Sequence, residues 1–440
     1  MSQSEEIRTI RGVKDVLPKD QAKWRYAIKE FETLADIFGF YKINIPAIEY
    51  LDLFDRSIGT ETDIVSKELF VVNQKSGTTD KLMALRPEFT AGIVRAYNQN
   101  GLKQLPQPLR LYTYGPVFRY DRPQKGRYRE HNQLDMEILG TNSAADDAWV
   151  IYLGWTLLKR LGIENVVVQI NSLGSKTNQQ EYIKKLHKYF APHKKELSET
   201  DQRRLELNPM RILDSKDEGI KKLIEDAPQS IDHLDKESKE FFFNLLSYLD
   251  DYKVTYNLNP QIVRGLDYYT HTAFEFTCEN SSGQQDSIGG GGRYDGLSEL
   301  IGGGKTGGVG MGIGLERVIQ LLKNKPPAEF DSKGQTEIFI IHLSKRGRKK
   351  AQDILEQLHE ANFATLHAPD RPSLRAQLKK ADRLKAKYSV IIGETEAKGN
   401  NCILRDMKSG IQEDIQYSDL LSTLTDRLRN GRSARHVRNA

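Results

Sequence analysis

In the stretch GGVGMGIGLERV, residues 307–318, glycine occupies positions 308, 310, 312 and 314. A strand repeats every two residues, so these four glycines share one face and Val309, Met311 and Ile313 share the other. One side is apolar and the other is bare backbone. Two readings stay open at this point: the bare face packs tightly against a neighbouring helix, or it forms a slot where a flat ring lies directly on the sheet. A nucleotide loop does not explain it. IGGGKT at 301–306 ends like a Walker A motif, but that motif's first glycine falls on Glu299. The DGLSELI before it reads as helix where a strand is required. GGVGMGIGLERV fails the G-x-G-x-x-G spacing as well.

The surrounding pattern predicts a mixed fold. KWRYAIKEFETLADIF has apolar residues every three or four positions, which predicts a helix stopped by Gly39. FYKINIPAIEY reads as a strand limited by Pro46. DKLMALRPEFTAGIVRAY passes from a short strand through a bend into a helix. LRLYTYGPVFRYDR and LDMEILG read as paired antiparallel strands joined by a charged loop, 121–133. Segment 142–161 reads as helix, NVVVQINSLG as strand, and 264–276, RGLDYYTHTAFEF, as a strand entered through Arg264, Asp267, Tyr268 and Tyr269.

Residues 175–250 change to charged helices with one Pro-marked interruption, LNPMRILDSKD, and are expected to be an insertion in a first domain spanning 1–325. A polar stretch at 326–335 reads as a linker. Strands and helices then alternate through 336–428, which predicts a small α/β domain. Residues 429–440 carry four arginines and no acid, the composition of a disordered tail.

A chain of 440 residues exceeds one compact core, in keeping with this division. Its net charge of +5 is mild, so a polyanion would have to be met by local basic patches. The two cysteines, Cys278 and Cys402, exclude a disulfide framework or a Cys-rich zinc site and suit a reducing cytoplasm. No apolar run reaches the roughly 18–20 residues of a membrane span, and MSQSEEIRTIRGVKD has no apolar signal stretch.

Four arginines sit at strand ends or in loops: Arg119, Arg127, Arg264 and Arg317. Each alone reads as a solvated surface residue. Converging on one antiparallel sheet, their permanent charge and forked donors would suit a nucleoside triphosphate. Alternation turns Glu88 and Glu137 inward. Buried ion pairs would explain both acids; so would an ammonium group held by one and a polar side chain held by the other. KRGRKK at 345–350 and the basic run at 379–387 read as solvated helix surface or as an RNA contact.

Together RGLDYY, GGGRYDGL, LRLYTYGPVFRYDRPQKGRYREHNQLDMEILG, LRPEFTAG, NSLGS, NPMRILDSK and GMGIGLERV resemble the histidyl-tRNA synthetases, class II aminoacyl-tRNA synthetases. RGVKDVLP and SLRAQLKKADRLKAKYSVIIGE fit the same family, so the resemblance covers nearly the whole chain. It implies an α+β fold: a class II antiparallel sheet flanked by helices, with the helical insertion and a C-terminal α/β anticodon-binding domain. The implied activity is joining of L-histidine to ATP, with magnesium bound through the phosphates, followed by transfer to tRNA(His). Arg119, Arg264 and Arg317 would be catalytic, Arg119 and Arg264 on the α-phosphate and Arg127 with Arg317 on the outer phosphates. Asp121, His131, Gly312 and Gly314 would complete the ATP site. Glu88, Thr90 and Gln133 would bind the α-ammonium of histidine. Glu137 and Tyr269 would take the two imidazole nitrogens, with Tyr268 beside Tyr269, and Tyr294 would wall the pocket. Gln124 and Arg129 would meet the tRNA acceptor end. Gly39–Glu49 looks like the class II dimer segment, implying a homodimer.

The chain departs from the family pattern at three places. Asp121 stands where a glutamate usually faces adenine, His131 where a phenylalanine stacks on it, and Asn132 where histidine or tyrosine is common. Weaker ATP binding is the expected result. The rival reading is a regulatory subunit of ATP phosphoribosyltransferase, which resembles the same body but has an eroded RGLDYY and eroded arginines in motif 2, here GPVFRYDRPQKGRYREHNQ, and lacks the C-terminal domain. A synthetase-like body with no activity would have lost Arg119, Arg264 or Arg317. All are present.

Overall fold

The computed structural model describes residues 6–59, 62, 64–72, 81–121, 127–215, 217–279, 285–322, 326, 327, 330, 336–370 and 373–430. Gln124, most of the expected linker and residues 431–440 lie outside the described residues. The chain divides into two compact units, Met1–Pro327 and Ala328–Ala440.

The first unit contains β1 (Tyr41–Lys42), β2 (Ile48–Tyr50), β3 (Val71–Val72), β4 (Met83–Leu85), β5 (Leu109–Phe118), β6 (Glu130–Leu139), β7 (Val167–Ser172), β8 (Tyr256–Leu258), β9 (Thr270–Glu279), β10 (Gln285–Arg293) and β11 (Gly308–Gly314). Eight of them form one sheet in the order β1-β5-β6-β11-β10-β9-β7-β8, and β2-β4-β3 form a second, smaller one. The large sheet is antiparallel except at its edges, where β1 runs parallel to β5 and β7 to β8. FYKINIPAIEY is therefore not one strand: it contributes β1 to the large sheet and β2 to the small one. Pro46 has no N–H to continue a ladder, and the Ile45 and Pro46 carbonyls accept from Arg86 Nη1 at 2.7 and 3.2 Å instead.

The glycine strand lies at the centre. Its partners on β6 are Leu139, Glu137, Asp135 and Gln133 for Gly308, Gly310, Gly312 and Gly314 respectively. Paired residues point to the same side, so glycines and acids share a face. Val309, Met311 and Ile313 face the other way with Leu134, Met136, Ile138, Phe274 and Phe276, into a core shared with helices Gln21–Ile37, Ala144–Arg160 and Lys236–Asp251. Gly154 brings the second helix close, since a Cβ there would collide with the Phe276 ring. Helix packing thus takes the apolar face of β11, while the bare face meets side chains such as Glu137 and Tyr294, which goes against the first of the two readings of the glycine pattern.

The 121–133 loop is shorter than expected, because β6 already pairs at Glu130 with Phe118. Residues 175–250 connect the parallel neighbours β7 and β8, a topology that demands a long crossover. They form helices Lys176–Phe190, Glu199–Leu207, Lys221–Glu225 and Lys236–Asp251, with 3-10 turns between them. The crossover is not a detached module: Phe242, Leu245 and Leu249 enter the helical core, while Tyr182, Leu186, Met210 and Ile212 join a second core with Tyr268, Tyr269 and Tyr294.

In the second unit β12 (Ile338–His342), β13 (Thr365–His367), β14 (Tyr388–Ile392), β15 (Asn401–Asp406) and β16 (Gln412–Gln416) form a sheet in the order β13-β12-β14-β15-β16. The first three are parallel and the last two antiparallel. Strand β16 and helix Tyr417–Thr425 are additions to the elements read from the sequence.

Candidate active site

The bare face is wider than β11 alone. Gly290 and Gly292 on β10 pair with Gly312 and Gly310, so glycines of two adjacent strands form a continuous floor. The SIGGGGRY run, read with period two, contains this signal. Side chains from elsewhere occupy the space the floor leaves. A Cβ at Gly310 would collide with the Glu137 carboxylate, and one at Gly308 with the Tyr294 ring, while one at Gly292 would lie 2.7 Å from the Tyr269 ring and one at Gly290 2.9 Å from Arg264 Nη1.

Glu137 is fully buried. Thr90 Oγ1 donates to one of its oxygens at 2.6 Å and Tyr294 Oη to the other at 2.5 Å. Burial, with Glu88 nearby, raises its pKa despite both donors. Glu88 enters from the start of helix Thr90–Gln99, where its Oε1 accepts the Ala91 N–H at 3.0 Å, as a capping residue does. Its Oε2 is buried with no hydrogen-bond partner in the protein. Tyr268 and Tyr269 lie with ring centroids 4.7 Å apart, and Tyr268 meets Tyr294 edge-on at 6.0 Å. Burial pushes the Tyr269 phenol up to about 12, so it remains a donor at neutral pH. The result is a buried cluster of acids and phenols beside a glycine floor.

Three arginines rim one end of that floor. Arg264 Nη1 pairs with Glu275 of β9 at 2.5 Å; Arg119 follows β5 and donates from Nε to the Pro87 carbonyl at 2.9 Å; Arg317 donates to the Ser287 carbonyl where β10 begins. Burial lowers the Arg119 pKa, Arg264 lowers it further, and Glu68 and Glu88 oppose the change. Burial drives His131 down to about 3, with Arg119 and Arg317 adding to the shift. Arginines from three distant stretches are therefore close enough to feel one another or a shared neighbour. Arg127 is farther out, half-exposed and paired with Asp121 at 3.0 Å. Arg129 lies 3.7 Å over the Tyr120 ring and donates from Nη1 to the Arg11 carbonyl at 3.2 Å. Asn132 donates through its backbone and side chain to Glu316, at 2.9 and 3.0 Å, and so ties β6 to the residue before Arg317.

The segment before β9 is held mostly by the crossover, a support that reading the sequence missed. Arg264 has φ +59°, a left-handed conformation that a non-glycine residue adopts at a cost. Asp267 Oδ1 accepts from Arg211 Nη2 at 2.8 Å and from Asn208 Nδ2 at 3.3 Å, both in the NPMR turn. Lys176 Nζ donates to the Asp267 carbonyl and Gln179 Nε2 to that of Tyr269, each at 2.9 Å. Gly59, at φ +97°, leaves room for Asp267, whose Oδ2 would be 2.7 Å from a Cβ there. Also unforeseen is fully buried Arg293, which pairs with Asp147 at 2.5 Å and Asp295 at 3.0 Å beneath the site.

An antiparallel sheet with a bare glycine face, an arginine rim and a separate C-terminal α/β unit define a class II synthetase-like fold. A family model described as histidyl-tRNA synthetase matches residues 12–318, and one described as an anticodon binding domain matches 337–427. The chain belongs to the histidyl-tRNA synthetase family. It is 38% identical to the histidine–tRNA ligase of Acetivibrio thermocellus over 414 residues, 94% of this chain and 98% of that one. The crystal structure of apo S. aureus histidyl-tRNA synthetase superposes with a TM-score of 0.78 at 32% identity, covering 95% of this chain and all of that one. A structure titled as an ATP phosphoribosyltransferase regulatory subunit/histidyl-tRNA synthetase from Bacillus halodurans has a TM-score of 0.60 at 21% identity, over 88% and 97% of the two chains, a likeness of fold alone.

Proposed function

We propose that the chain activates L-histidine with ATP and transfers the histidyl group to the 3′ end of tRNA(His). The observation that carries this is the juxtaposition of a buried acid and phenol with an arginine rim on one sheet face. A neutral imidazole offers one N–H and one lone pair. Glu137 accepts the first and the Tyr269 hydroxyl donates to the second, with Tyr268 and Tyr294 as walls. The α-ammonium goes to Glu88, Thr90 and Gln133. Arg264 and Arg119 bridge the histidine carboxylate and the α-phosphate, Arg317 and Arg127 hold the outer phosphates, and the adenine lies toward Gly312, Gly314 and His131.

The histidine carboxylate is ionised at pH 7 and needs no general base to attack the α-phosphorus. Its oxygen forms the new bond as the bond to pyrophosphate breaks. Catalysis rests on alignment and on fixed positive charge where charge builds on the phosphates. Mg2+ arrives with the triphosphate as part of the substrate. The terminal ribose hydroxyl of the tRNA then takes the histidyl group and AMP leaves. An amino acid lacking the imidazole leaves buried polar partners empty, a penalty on the order of 10⁴–10⁵ in selectivity.

The anticodon-binding unit and exposed Lys345, Arg346, Arg348 and Lys349 support tRNA as the partner. Exposed Tyr41, Ile48 and Tyr50 in and beside Gly39–Glu49 support a homodimer, and two buried free cysteines suit a cytoplasmic setting. Among the described residues no helix is long and apolar enough to cross a membrane. Pyrophosphate exchange measured with each of the twenty amino acids tests the assignment. Exchange should appear with histidine alone, and exchange driven by any other acid, or by none, overturns it. The regulatory-subunit reading is less well supported, because Arg119, Arg264 and Arg317 are all present and the C-terminal domain matches an anticodon-binding model.

A further inference from the structure

A third acid stands beside Glu88 and Glu137 without a role in the scheme above. Asp135 is 3% exposed and pairs with Gly312 in the β6–β11 ladder, so it lies on the site face between Gln133 and Glu137. Its Oδ2 comes within 3.5 Å of where a Gly312 Cβ would be, and its Oδ1 is buried with no hydrogen-bond partner in the protein. A buried carboxylate oxygen left this way is costly unless a ligand supplies the donor. Arg86, whose charge reaches Asp135, does not: it directs Nε to the Pro116 carbonyl at 2.9 Å and Nη1 to those of Ile45 and Pro46. Glu88 Oε2 is unpartnered as well, and Glu88 and Glu137 both raise the Asp135 pKa after burial does. Arg86 and Arg119 favour the charged forms of Asp135 and Glu88, yet two oxygens of the three clustered acids keep no donor. An ammonium group supplies both a donor and a positive charge, whereas adenine carries no charge and the phosphates carry the opposite sign.

Resting on the histidine assignment, we infer that Asp135 is a further substrate-binding residue, receiving the α-ammonium of the amino acid together with Glu88. The alternative is a purely structural acid, which would have no reason to distinguish ligands by their α-substituent. Calorimetric titration of the full chain with L-histidine and with imidazole-lactate, which carries a hydroxyl in place of the ammonium, separates the two. In Asp135→Asn the affinity for histidine should fall roughly tenfold or more, the worth of a hydrogen bond to a charged group. Affinity for imidazole-lactate should stay level or improve. Asp135→Ser should show the same narrowing of the ratio if the amide variant folds poorly. An equal loss for both ligands, or no loss for either, overturns the inference while leaving the function intact. A wild-type chain that does not bind histidine sinks the functional reading itself.

Discussion

Replacing Gly310 by alanine puts the function of the bare floor to a direct test. The new Cβ would occupy the place of the Glu137 carboxylate. The backbone cannot yield, because Gly310 is hydrogen-bonded in the middle of the sheet between β6 and β10, opposite Glu137 and Gly292. The carboxylate has to move, and with it go the bonds from Thr90 and Tyr294. Leaving a buried hydrogen-bonding group without its partner costs about 1–3 kcal/mol, and an ångström of misplacement near the reacting groups costs about a hundredfold. We expect kcat/KM for histidine in pyrophosphate exchange to fall roughly 10²–10³-fold, or about 2.7–4 kcal/mol at 1.36 kcal/mol per tenfold. Overpacking should lower stability by only about 1–3 kcal/mol, so the variant should still fold by circular dichroism. Gly304→Ala is the control, since its Cβ meets nothing nearer than Lys103 Nζ at 3.9 Å. If Gly310→Ala keeps the histidine kinetics within about threefold of wild type, the glycine face is not what makes room for Glu137.

Arg211→Met should raise KM for histidine and ATP together by roughly tenfold, one hydrogen bond to a charged group, because Asp267 loses its cation and the segment bearing Arg264 and Tyr269 loosens; unchanged kinetics would show that the segment stands without the crossover. Arg293→Met should cost about 3–5 kcal/mol in denaturant unfolding by stranding the buried Asp147 carboxylate, and a loss under about 1 kcal/mol would contradict the burial of that pair. His131 is held neutral in the fold until about pH 3, against 6.5 in a free chain. The unfolded state binds its proton first, so this residue withdraws stability as pH falls from about 6.5 toward 3. His131→Phe should therefore gain stability relative to wild type between pH 7.5 and 5, and a difference that does not change with pH refutes the burial of that ring. The same variant should lower KM for ATP if a larger ring stacks better on adenine, and an unchanged KM removes that idea.

The sequence by itself determined the local features. Period-two glycines and alternating apolar residues marked β11 and its two faces, because a strand's side chains alternate whatever lies beside them. The ordered motifs determined the family, and the shift to charged helices marked 175–250. The tertiary structure alone decided which neighbour each face meets. Strand order and register set Gly310 against Glu137 and Gly292, bring Arg119, Arg264 and Arg317 to one end of a sheet from positions nearly two hundred residues apart, and bury Arg293 against Asp147. The crossover's hold on Asp267 was equally hidden, since Arg211 and Asp267 each look like ordinary surface charges until the chain folds. Pairing across a sheet joins residues distant in sequence, and nothing in either strand's own period names its partner.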